Sequence, residues 1–293
     1  MNFRISVIGV FFLACGWFGL TGCTQERAVE RSASEKLEKA ESLVRVLDFE
    51  GSRELLLTTR PLFEKGEPQW SRSTYLLAVS DRFIKPVVPE RIREAESLLE
   101  ELFRESGNPE LRSQAALDLG RLRELEDYPG EPTDLAKARS WYREAEAIVP
   151  GIDMIARSRL RLAFSYAKQL EKEPVQEAIT ILKEFLSEHP DNPWSSVTLQ
   201  YIGDLYAFWL NDTAAGFPYY ERAYERGFSI ETLTDRFLWR IIVWAEENNR
   251  PEKVIQYASE LIDGYPRSTY QTLAREKIQT ARDELKAREK ATS

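Results

Sequence analysis

Apolar residues recur at helical spacing through most of this chain, and residues 175–190 show the pattern most clearly. Their apolar positions follow the i, i+3, i+4, i+7 spacing of a helix that buries one face. These positions are Val175, Ala178, Ile179, Leu182, Phe185 and Leu186. Pro174 and Pro190 are placed to open and close this helix, because proline is tolerated in the first turn and not in the interior. A second amphipathic stretch, from Arg159 to Leu170, precedes this helix. Two helices alone cannot cover both of their apolar faces, so we predict a helix pair that stacks on neighbouring pairs.

Prolines that close helices mark further copies of this helix pair. They are Pro68, Pro109, Pro150, Pro190 and Pro266, which lie 41, 41, 40 and 76 residues apart, and 76 is two steps of 38. The missing mark falls at Phe228, where Arg226 and Gly227 stop the helix instead. A period near 40 over six units predicts an array of helix pairs rather than a single compact core.

The first pair matches the others by period alone. Ser32 and Glu35 have capping-box spacing, so we predict that the first helix starts close by. Its apolar stripe continues to Leu47, and Gly51 is predicted to break it. Residues 55–62 are predicted to form the second helix, and the pair is a candidate for the terminal cap that arrays require.

The second pair and the last helix carry their own boundary signals. The second pair is predicted to run over residues 70–83, to break at 86–89 and then to resume. Asn108 is a predicted N-cap before a proline at the first helical position. Ser268 and Gln271 again have capping-box spacing, which predicts the start of a C-terminal helix.

Four segments share the same inner offsets of 0, 4 and 7 between apolar or small residues. They are Ala138, Tyr142 and Ala145; Ala178, Leu182 and Phe185; Gly216, Tyr220 and Ala223; and Val254, Ala258 and Leu261. Two preceding helices carry a leucine or isoleucine, a small residue and then a tyrosine, namely Leu162, Ala163 and Tyr166, and Ile202, Gly203 and Tyr206. Together these residues resemble the tetratricopeptide repeat over residues 109–266, although each copy here is longer than the family unit of about 34 residues.

The resemblance has direct consequences for the fold. It implies an all-α chain that forms a right-handed superhelix of about six helix pairs over residues 34–290, together with a C-terminal capping helix.

The first residues carry the features of an export signal. A basic head, residues 1–4, precedes an apolar run of 16 residues, 5–20. This run is short for a membrane span, which needs about 20 residues. It ends in Leu20-Thr21-Gly22-Cys23, which resembles a bacterial lipobox and implies a cleaved signal peptide, residues 1–22, and acyl chains such as palmitate on Cys23. An ordinary signal with an incidental cysteine and an uncleaved anchor are the alternatives.

The residues after the lipobox bear on location and partners. Residues 23–33 are predicted to form the lipidated cysteine and a flexible stalk, and Thr24 in place of an aspartate implies, by the lipoprotein resemblance, the outer membrane and its periplasmic face. The formal net charge of −8 argues against nucleic acid and against electrostatic binding to anionic lipid. Cleavage would leave Cys23 as the single cysteine, so no intramolecular disulfide is expected.

Residue types that carry chemistry are sparse. His189 is the single histidine, and its place at a helix end favours contact with helix carbonyls over a metal. Glu124 and residues 126–134 hold five carboxylates, for which a calcium site and a solvated loop are the two interpretations; the spacing matches no EF-hand loop. We therefore predict no catalytic, cofactor or metal site, and we do not expect an enzyme.

These observations predict a membrane-tethered scaffold or adaptor that binds other envelope proteins. In lipobox, length and repeat type the chain is similar to the helical-repeat lipoprotein of the β-barrel assembly machinery, which implies a role in outer-membrane protein assembly. An adaptor for cell-wall enzymes, or for a secretion or motility complex, is an alternative binding role. A solute-binding lipoprotein is an alternative of another class and would need a deep pocket with convergent polar groups.

The resemblance also implies where a partner binds, because the first helices of tetratricopeptide pairs line the concave face. Residues between the core positions of these helices are then predicted to face a partner groove. They are Arg157, Phe164, Lys168, Gln200, Asp204, Phe208, Arg236 and Trp239. Aromatic anchors with a few charges suit an extended peptide or a helix. The alternative is that Phe164, Phe208 and Trp239 only complete the packing between first helices.

Overall fold

The computed structural model describes residues 31–124, 132–148, 151–228 and 231–292, and the regular elements within these ranges are all helical. This confirms the prediction of an all-α fold. The predicted signal peptide, Cys23 and residues 24–30 of the stalk lie outside the described residues, as do residues 125–131 and Pro150. The chain divides into two compact units, residues 1–149 and 150–293.

The first unit contains six helices within its described residues. They are α1 (31–45), α2 (Phe49–Thr59, extended by a 3₁₀ turn at Arg60–Leu62), α3 (Pro68–Phe83), α4 (Pro89–Glu105), α5 (Pro109–Glu124) and α6 (Leu135–Ile148). From α2 onward each helix packs on the next. Leu37 and Ala40 of α1 join the same core as Trp70, Leu99 and Leu119, so apolar stripes from successive helices form one buried layer.

The predicted break at Gly51 is wrong. The first helix ends at residue 45, and Leu47 adopts a left-handed backbone conformation with φ of 65°. Asp48 is the N-cap of α2, and its carboxylate accepts a hydrogen bond from the Gly51 backbone N–H at 2.9 Å. A Cβ on Gly51 would lie 2.7 Å from Asp48 Oδ2, so the glycine makes room for the cap instead of ending a helix.

Two of the marking prolines begin helices rather than close them. Pro68 is the first residue of α3 and Pro109 the first residue of α5. The predicted N-cap at Asn108 is confirmed, because its side-chain oxygen accepts from the backbone N–H groups of Glu110 at 2.9 Å and Leu111 at 3.2 Å. The predicted break at 86–89 is confirmed as well, since α3 ends at Phe83 and α4 begins at residue 89. Pro68 and Pro109 therefore mark the start of a new helix pair and not the end of the preceding one.

The second unit contains seven helices within its described residues. They are α7 (Ile152–Ala167), α8 (Lys172–Glu188), α9 (Ser195–Asp204, continued by a π turn at Leu205–Trp209), α10 (Thr213–Glu225), α11 (Thr234–Glu247, preceded by a 3₁₀ turn at Glu231–Leu233), α12 (Pro251–Gly264) and α13 (Gln271–Thr292). Each packs on the next along the chain. Most of their apolar faces form a second core around Phe217, Tyr220, Ile241 and Leu261.

The helix predicted over Arg159 to Leu170 is shifted toward the N-terminus. α7 begins at Ile152 and ends at Ala167, and Leu170 has a φ of 57° with 74% of its surface exposed. The periodic pattern includes Leu170 because its spacing continues the stripe. The backbone has already left the helix there, so this residue belongs to the α7–α8 turn.

The shared offsets mark buried positions, as predicted. All twelve residues of the four segments are buried. In two of the segments the middle residue is a tyrosine that faces a glycine of the preceding first helix. A Cβ on Gly203 would lie 2.9 Å from Cε2 of Tyr220, and one on Gly120 would lie 2.7 Å from Cδ1 of Tyr142. Small residues therefore allow the two helices of a pair to approach closely.

The last helix is joined to α12 by a different device from the predicted capping box. The Gln271 side chain donates to the carbonyl oxygens of Leu261, Ile262 and Tyr265 at 3.4, 3.0 and 2.9 Å. Two of these carbonyls also accept backbone N–H groups, Leu261 from Tyr265 at 3.0 Å and Tyr265 from Ser268 at 2.9 Å, so Gln271 adds a second donor to each and ties α13 to the end of α12. Ala274 is buried against the second core, which fixes the start of α13.

Candidate interaction surface on the first helices of the second unit

The predicted groove residues lie on the first helices of the second unit. Arg157 and Phe164 are on α7, and Lys168 directly follows its end. Gln200 and Asp204 are on α9, and Phe208 lies in the π turn that continues it. Arg236 and Trp239 are on α11. Within each helix the spacing of three, four or seven residues places the members on one face.

The π turn at the end of α9 gives this surface its most exposed aromatic groups. Its register is set by the Leu210 N–H, which donates to the Leu205 carbonyl five residues earlier at 3.1 Å. Phe208 is 53% exposed and Trp209 is 49% exposed. π-helical turns inside α-helices occur mostly as single turns and often at functional sites. Here the wider turn carries two large aromatic side chains that remain about half accessible.

A polar network beneath Phe208 holds the turn in place. Asp204 Oδ1 accepts hydrogen bonds from the Tyr220 hydroxyl at 2.6 Å and from Arg240 Nη1 at 2.9 Å. The Arg240 guanidinium also contacts the Tyr220 hydroxyl and lies 4.9 Å from the centre of the Phe208 ring. Burial raises the pKa of Asp204, and its hydrogen bonds with Tyr220 and Arg240 oppose that rise. Burial, followed by the nearby Asp204, also raises the pKa of Tyr220. Asp204 therefore positions Arg240 and the π turn.

Arg240 was missed by the sequence reasoning. It lies four residues after Arg236 on α11, so the i, i+4 rule was the available signal. The contact between Arg240 and Phe208 joins α11 to the end of α9, and a pairing between residues so far apart in the chain cannot be read from local spacing.

Each predicted aromatic anchor both packs on a neighbour and keeps exposed surface. The Phe164 ring lies 4.2 Å from the Tyr201 ring, centre to centre, and remains exposed. Trp239 is half-buried and stacks on Tyr270 at 5.1 Å. Phe208 meets Trp244 edge to face at 5.9 Å. Such rings are held in place before a partner arrives, which reduces the ordering cost of binding.

The surface is more cationic than the chain as a whole. Three of the eight predicted residues are cationic, namely Arg157, Lys168 and Arg236, and the one carboxylate, Asp204, pairs with Arg240. The whole sequence has a formal net charge of −8, so the charge of this surface is opposite in sign to the net charge of the chain. In addition, Gln200 Oε1 is buried and accepts no hydrogen bond in the described structure. Because this atom is buried, it is not accessible to a segment that lies on the surface.

Other candidate sites have different geometries. The His189 backbone caps the end of α8 and its ring lies against Phe185 at 5.5 Å. Glu124 accepts a hydrogen bond from Tyr142, and Asp134 accepts one from the Lys137 N–H at 2.9 Å as the cap of α6. Across the described ranges, no three His, Cys, Asp or Glu side chains are grouped to hold a metal ion. None of the described helices combines the length and apolar character needed to cross a bilayer.

A surface depression in the first unit bears on the solute-binding alternative. Its volume is about 550 Å³, and it is lined by Gly66, Pro68 and residues 107–110, at the starts of α3 and α5. Asn108 and Glu110 contribute polar side chains, but the oxygen of Asn108 already caps α5. The lining therefore lacks the convergent polar groups expected of a site for a small ligand.

Paired helices packed through small residues define a tetratricopeptide-like repeat protein, and solved structures share this fold. The chain is similar to PilF of Pseudomonas aeruginosa with 14% sequence identity and a TM-score of 0.53, covering 88% of this chain and 99% of that one. It is also similar to a putative kinesin light chain of Podospora anserina with nearly identical TPR-like repeats, with 16% identity, a TM-score of 0.50, and coverage of 66% of this chain and 93% of that one. At these identities the likeness shows the fold alone.

Sequence comparison defines the family. No curated protein matches this chain. Residues 131–293, more than half of the chain, match the family YfiO, outer membrane lipoprotein, and the chain belongs to this family. The match includes every residue of the candidate surface. The predicted resemblance to a repeat-containing outer-membrane lipoprotein is confirmed, and the fold and family support a protein-interaction scaffold of the cell envelope.

Proposed function

We propose that this protein is a lipid-anchored scaffold, facing the periplasm, that binds an extended acidic segment of another envelope protein. The segment would lie on the first-helix surface of the second unit. The observation that carries the proposal is the π turn, because it holds two half-exposed aromatic side chains next to a guanidinium. Buried aromatic and arginine side chains dominate the binding energy of many protein interfaces.

Charge complementarity supports an acidic segment. Arg157 and Arg236 lie on the same helices as Phe164 and Trp239, and Lys168 directly follows α7; their charge is opposite to the net charge of the whole chain. Opposite charge on a partner raises the association rate and selects against basic segments.

The anchor is the second part of the proposal. Leu20-Thr21-Gly22-Cys23 supports cleavage after residue 22 and acylation of Cys23, with the repeat domain at 34–290 beyond a short stalk. Two or more acyl chains give stable membrane attachment, whereas one chain binds reversibly. Mass spectrometry of the purified protein should find acyl groups on Cys23, and Cys23→Ser should release the protein into the soluble fraction. A wild-type protein without acyl groups would rule out this anchor.

The finer proposal is a role in outer-membrane protein assembly. The family match and the similarity in plan to the helical-repeat lipoprotein of the β-barrel assembly machinery support it. Crosslinking in intact cells followed by pull-down should enrich β-barrel assembly proteins. Enrichment of cell-wall enzymes, or of a secretion or motility complex, would instead favour the adaptor alternative.

The binding surface is tested by the double variant Phe208→Ala, Trp239→Ala. We expect loss of partner capture with nearly unchanged thermal stability, because both side chains keep exposed surface. Leu170→Ala is the matched control, since Leu170 is an exposed apolar residue in a turn rather than on the helix face. Arg236→Glu should weaken capture as well, whereas Lys286→Glu on exposed α13 should not.

The same measurements can contradict the proposal. If the double variant melts well below the wild type, these aromatic residues are core residues and the alternative of pure packing is correct. If it keeps both its stability and its partner, the segment binds elsewhere.

A further inference from the structure

Turns between the two helices of a pair contain residues with a left-handed backbone. They are Leu47, Leu170, Asn211 and Asn249, with φ of 65°, 57°, 51° and 60°. Asparagine visits this region readily, but leucine does so at a cost. At Leu47 and Leu170 a residue unsuited to the backbone also presents its side chain to solvent. An observed outlier of this kind is a reason to look for a function.

Leu47 is part of a larger apolar surface. Val46 is 72% exposed and Leu47 is 73% exposed in the α1–α2 turn. Phe49, two residues later, stacks on Phe83 at 5.4 Å between ring centres, which brings the α1–α2 and α3–α4 turns together. Phe83 and Val87 are exposed too. We call these five residues the turn patch. Single exposed apolar residues are normal, but a contiguous group marks an interaction site.

The charges around the turn patch are mixed. Arg45 and Lys85 are exposed beside it, and Arg45 forms an ion pair with Glu41 at 2.6 Å. Asp48, Glu50 and Glu90 are also exposed. Because neither sign predominates, the occupant is defined by apolar chemistry and not by charge.

The length of chain before α1 limits what the turn patch can reach. Cys23 and Arg31 are eight residues apart in the sequence. An extended chain of that length spans at most about 27 Å. The described part of α1, residues 31–45, is about 22 Å long at the rise of an α-helix. An acylated Cys23 therefore lets the far end of α1 touch the bilayer that holds the acyl chains.

We propose that the turn patch inserts into the leaflet to which Cys23 is anchored, as a second membrane contact beside the acyl chains. This inference rests on the proposed anchor. Val46 and Leu47 enter the boundary between headgroups and acyl chains, and the Phe49–Phe83 pair supports them from behind. The tether supplies the proximity, so the turn patch needs little intrinsic affinity for lipid. Since the contact is apolar, it is independent of anionic lipid.

The test uses the full acylated protein in vesicles of phosphatidylcholine, with or without phosphatidylglycerol. Leu47→Cys is labelled with an environment-sensitive fluorophore, because acylation blocks the thiol of Cys23. Lys65→Cys, an exposed position in the α2–α3 turn, is the matched control. We expect a blue-shifted emission and quenching by nitroxide-bearing lipids at position 47 and neither at position 65, equally in both lipid compositions.

Leu47→Asn separates function from folding. Asparagine occupies the same conformation at Asn211 and Asn249, so this variant should be at least as stable as the wild type. With a fluorophore on Val46→Cys, the added Leu47→Asn substitution should reduce nitroxide quenching. Unchanged quenching would overturn the proposal.

The other outcomes are distinct. Two outcomes contradict the membrane contact but leave the anchor in place. In both, Cys23 carries acyl groups; in the first, lipid does not quench position 47, and in the second, it quenches positions 47 and 65 equally. Shielding of position 47 without nitroxide quenching indicates a protein occupant, such as a second copy, and also overturns the membrane contact. Absence of acyl groups overturns the anchor and this inference together.

Discussion

Gly203→Ala tests the close approach of paired helices on which the fold depends. The added Cβ would meet the Tyr220 ring, with Cε2 at 2.9 Å, and the Gly216 carbonyl oxygen at 3.3 Å. Neither can move aside easily, because Tyr220 is fully buried and its hydroxyl donates to Asp204 at 2.6 Å. Overpacking of this kind costs about 1–3 kcal/mol, and the higher helix propensity of alanine returns about 1 kcal/mol. The difference is a net loss of about 0–2 kcal/mol, and because the contacts with Tyr220 are tight we expect a value near the upper end, about 2 kcal/mol.

Urea unfolding followed by circular dichroism measures this difference. Gly264→Ala is the matched control, because Gly264 ends α12 and a Cβ there meets nothing within 4 Å. It should leave the free energy of unfolding unchanged or raise it by up to about 1 kcal/mol. Gly120→Ala repeats the test in the first unit, where the Cβ would meet Tyr142. If Gly203→Ala is as stable as Gly264→Ala, the small residue is not required for the packing and our account of the motif is wrong.

Two further predictions concern packing and ionisation. Leu182 is fully buried, so Leu182→Ala should lower the free energy of unfolding by about 2–5 kcal/mol, and faster hydrogen exchange should spread to neighbouring helices; a change confined to α8 would contradict this. Burial and then the carboxylates of Glu260 and Glu221 raise the pKa of Tyr224 and Tyr257 above the usual value of about 10. The folded state thus holds these protons more tightly, and this stabilisation, complete below pH about 10, is lost as the pH rises further. Melting curves at neutral and alkaline pH should show a smaller alkaline loss for the double variant Tyr224→Phe, Tyr257→Phe than for the wild type, and equal losses would refute the assignment.

The helix pairs were predictable because burial follows local periodicity. The shared offsets of 0, 4 and 7 coincide with buried positions in all four segments, which start at Ala138, Ala178, Gly216 and Val254. A helix that packs on its neighbours must repeat its apolar stripe, so this agreement is expected. The sequence placed Gly203 and Tyr220 in separate motifs of a first and a second helix, and the structure shows that these two residues face each other at close range. The sequence pattern and the observed packing agree at positions where burial in the core determines the residue type.

Helix ends were harder to predict for a physical reason. Leu47 and Leu170 continue an apolar stripe in spacing, although both lie in turns with positive φ. Periodicity cannot distinguish an apolar residue that is buried from one exposed just after the helix ends. The useful signal at the first of these turns was Asp48, whose carboxylate caps α2, and not Gly51.

The candidate surface was predictable only in part. First-helix positions such as Phe208 and Trp239 follow from register, but the π turn has no distinct composition and shifts the register after Asp204. The contact of Arg240 with Phe208 depends on how α11 packs beside α9, which spacing within one helix does not specify.

The division into two units gives the two proposals separate physical bases. The turn patch and the predicted anchor belong to residues before the family match begins at 131, whereas the candidate surface lies within it. Each unit has its own buried core, so a substitution at an exposed residue of one leaves the packing of the other unchanged. Leu47→Asn should therefore leave partner capture intact, and Phe208→Ala should leave lipid contact intact. If either substitution abolishes both activities, membrane contact and partner binding are coupled and the two sites are not independent.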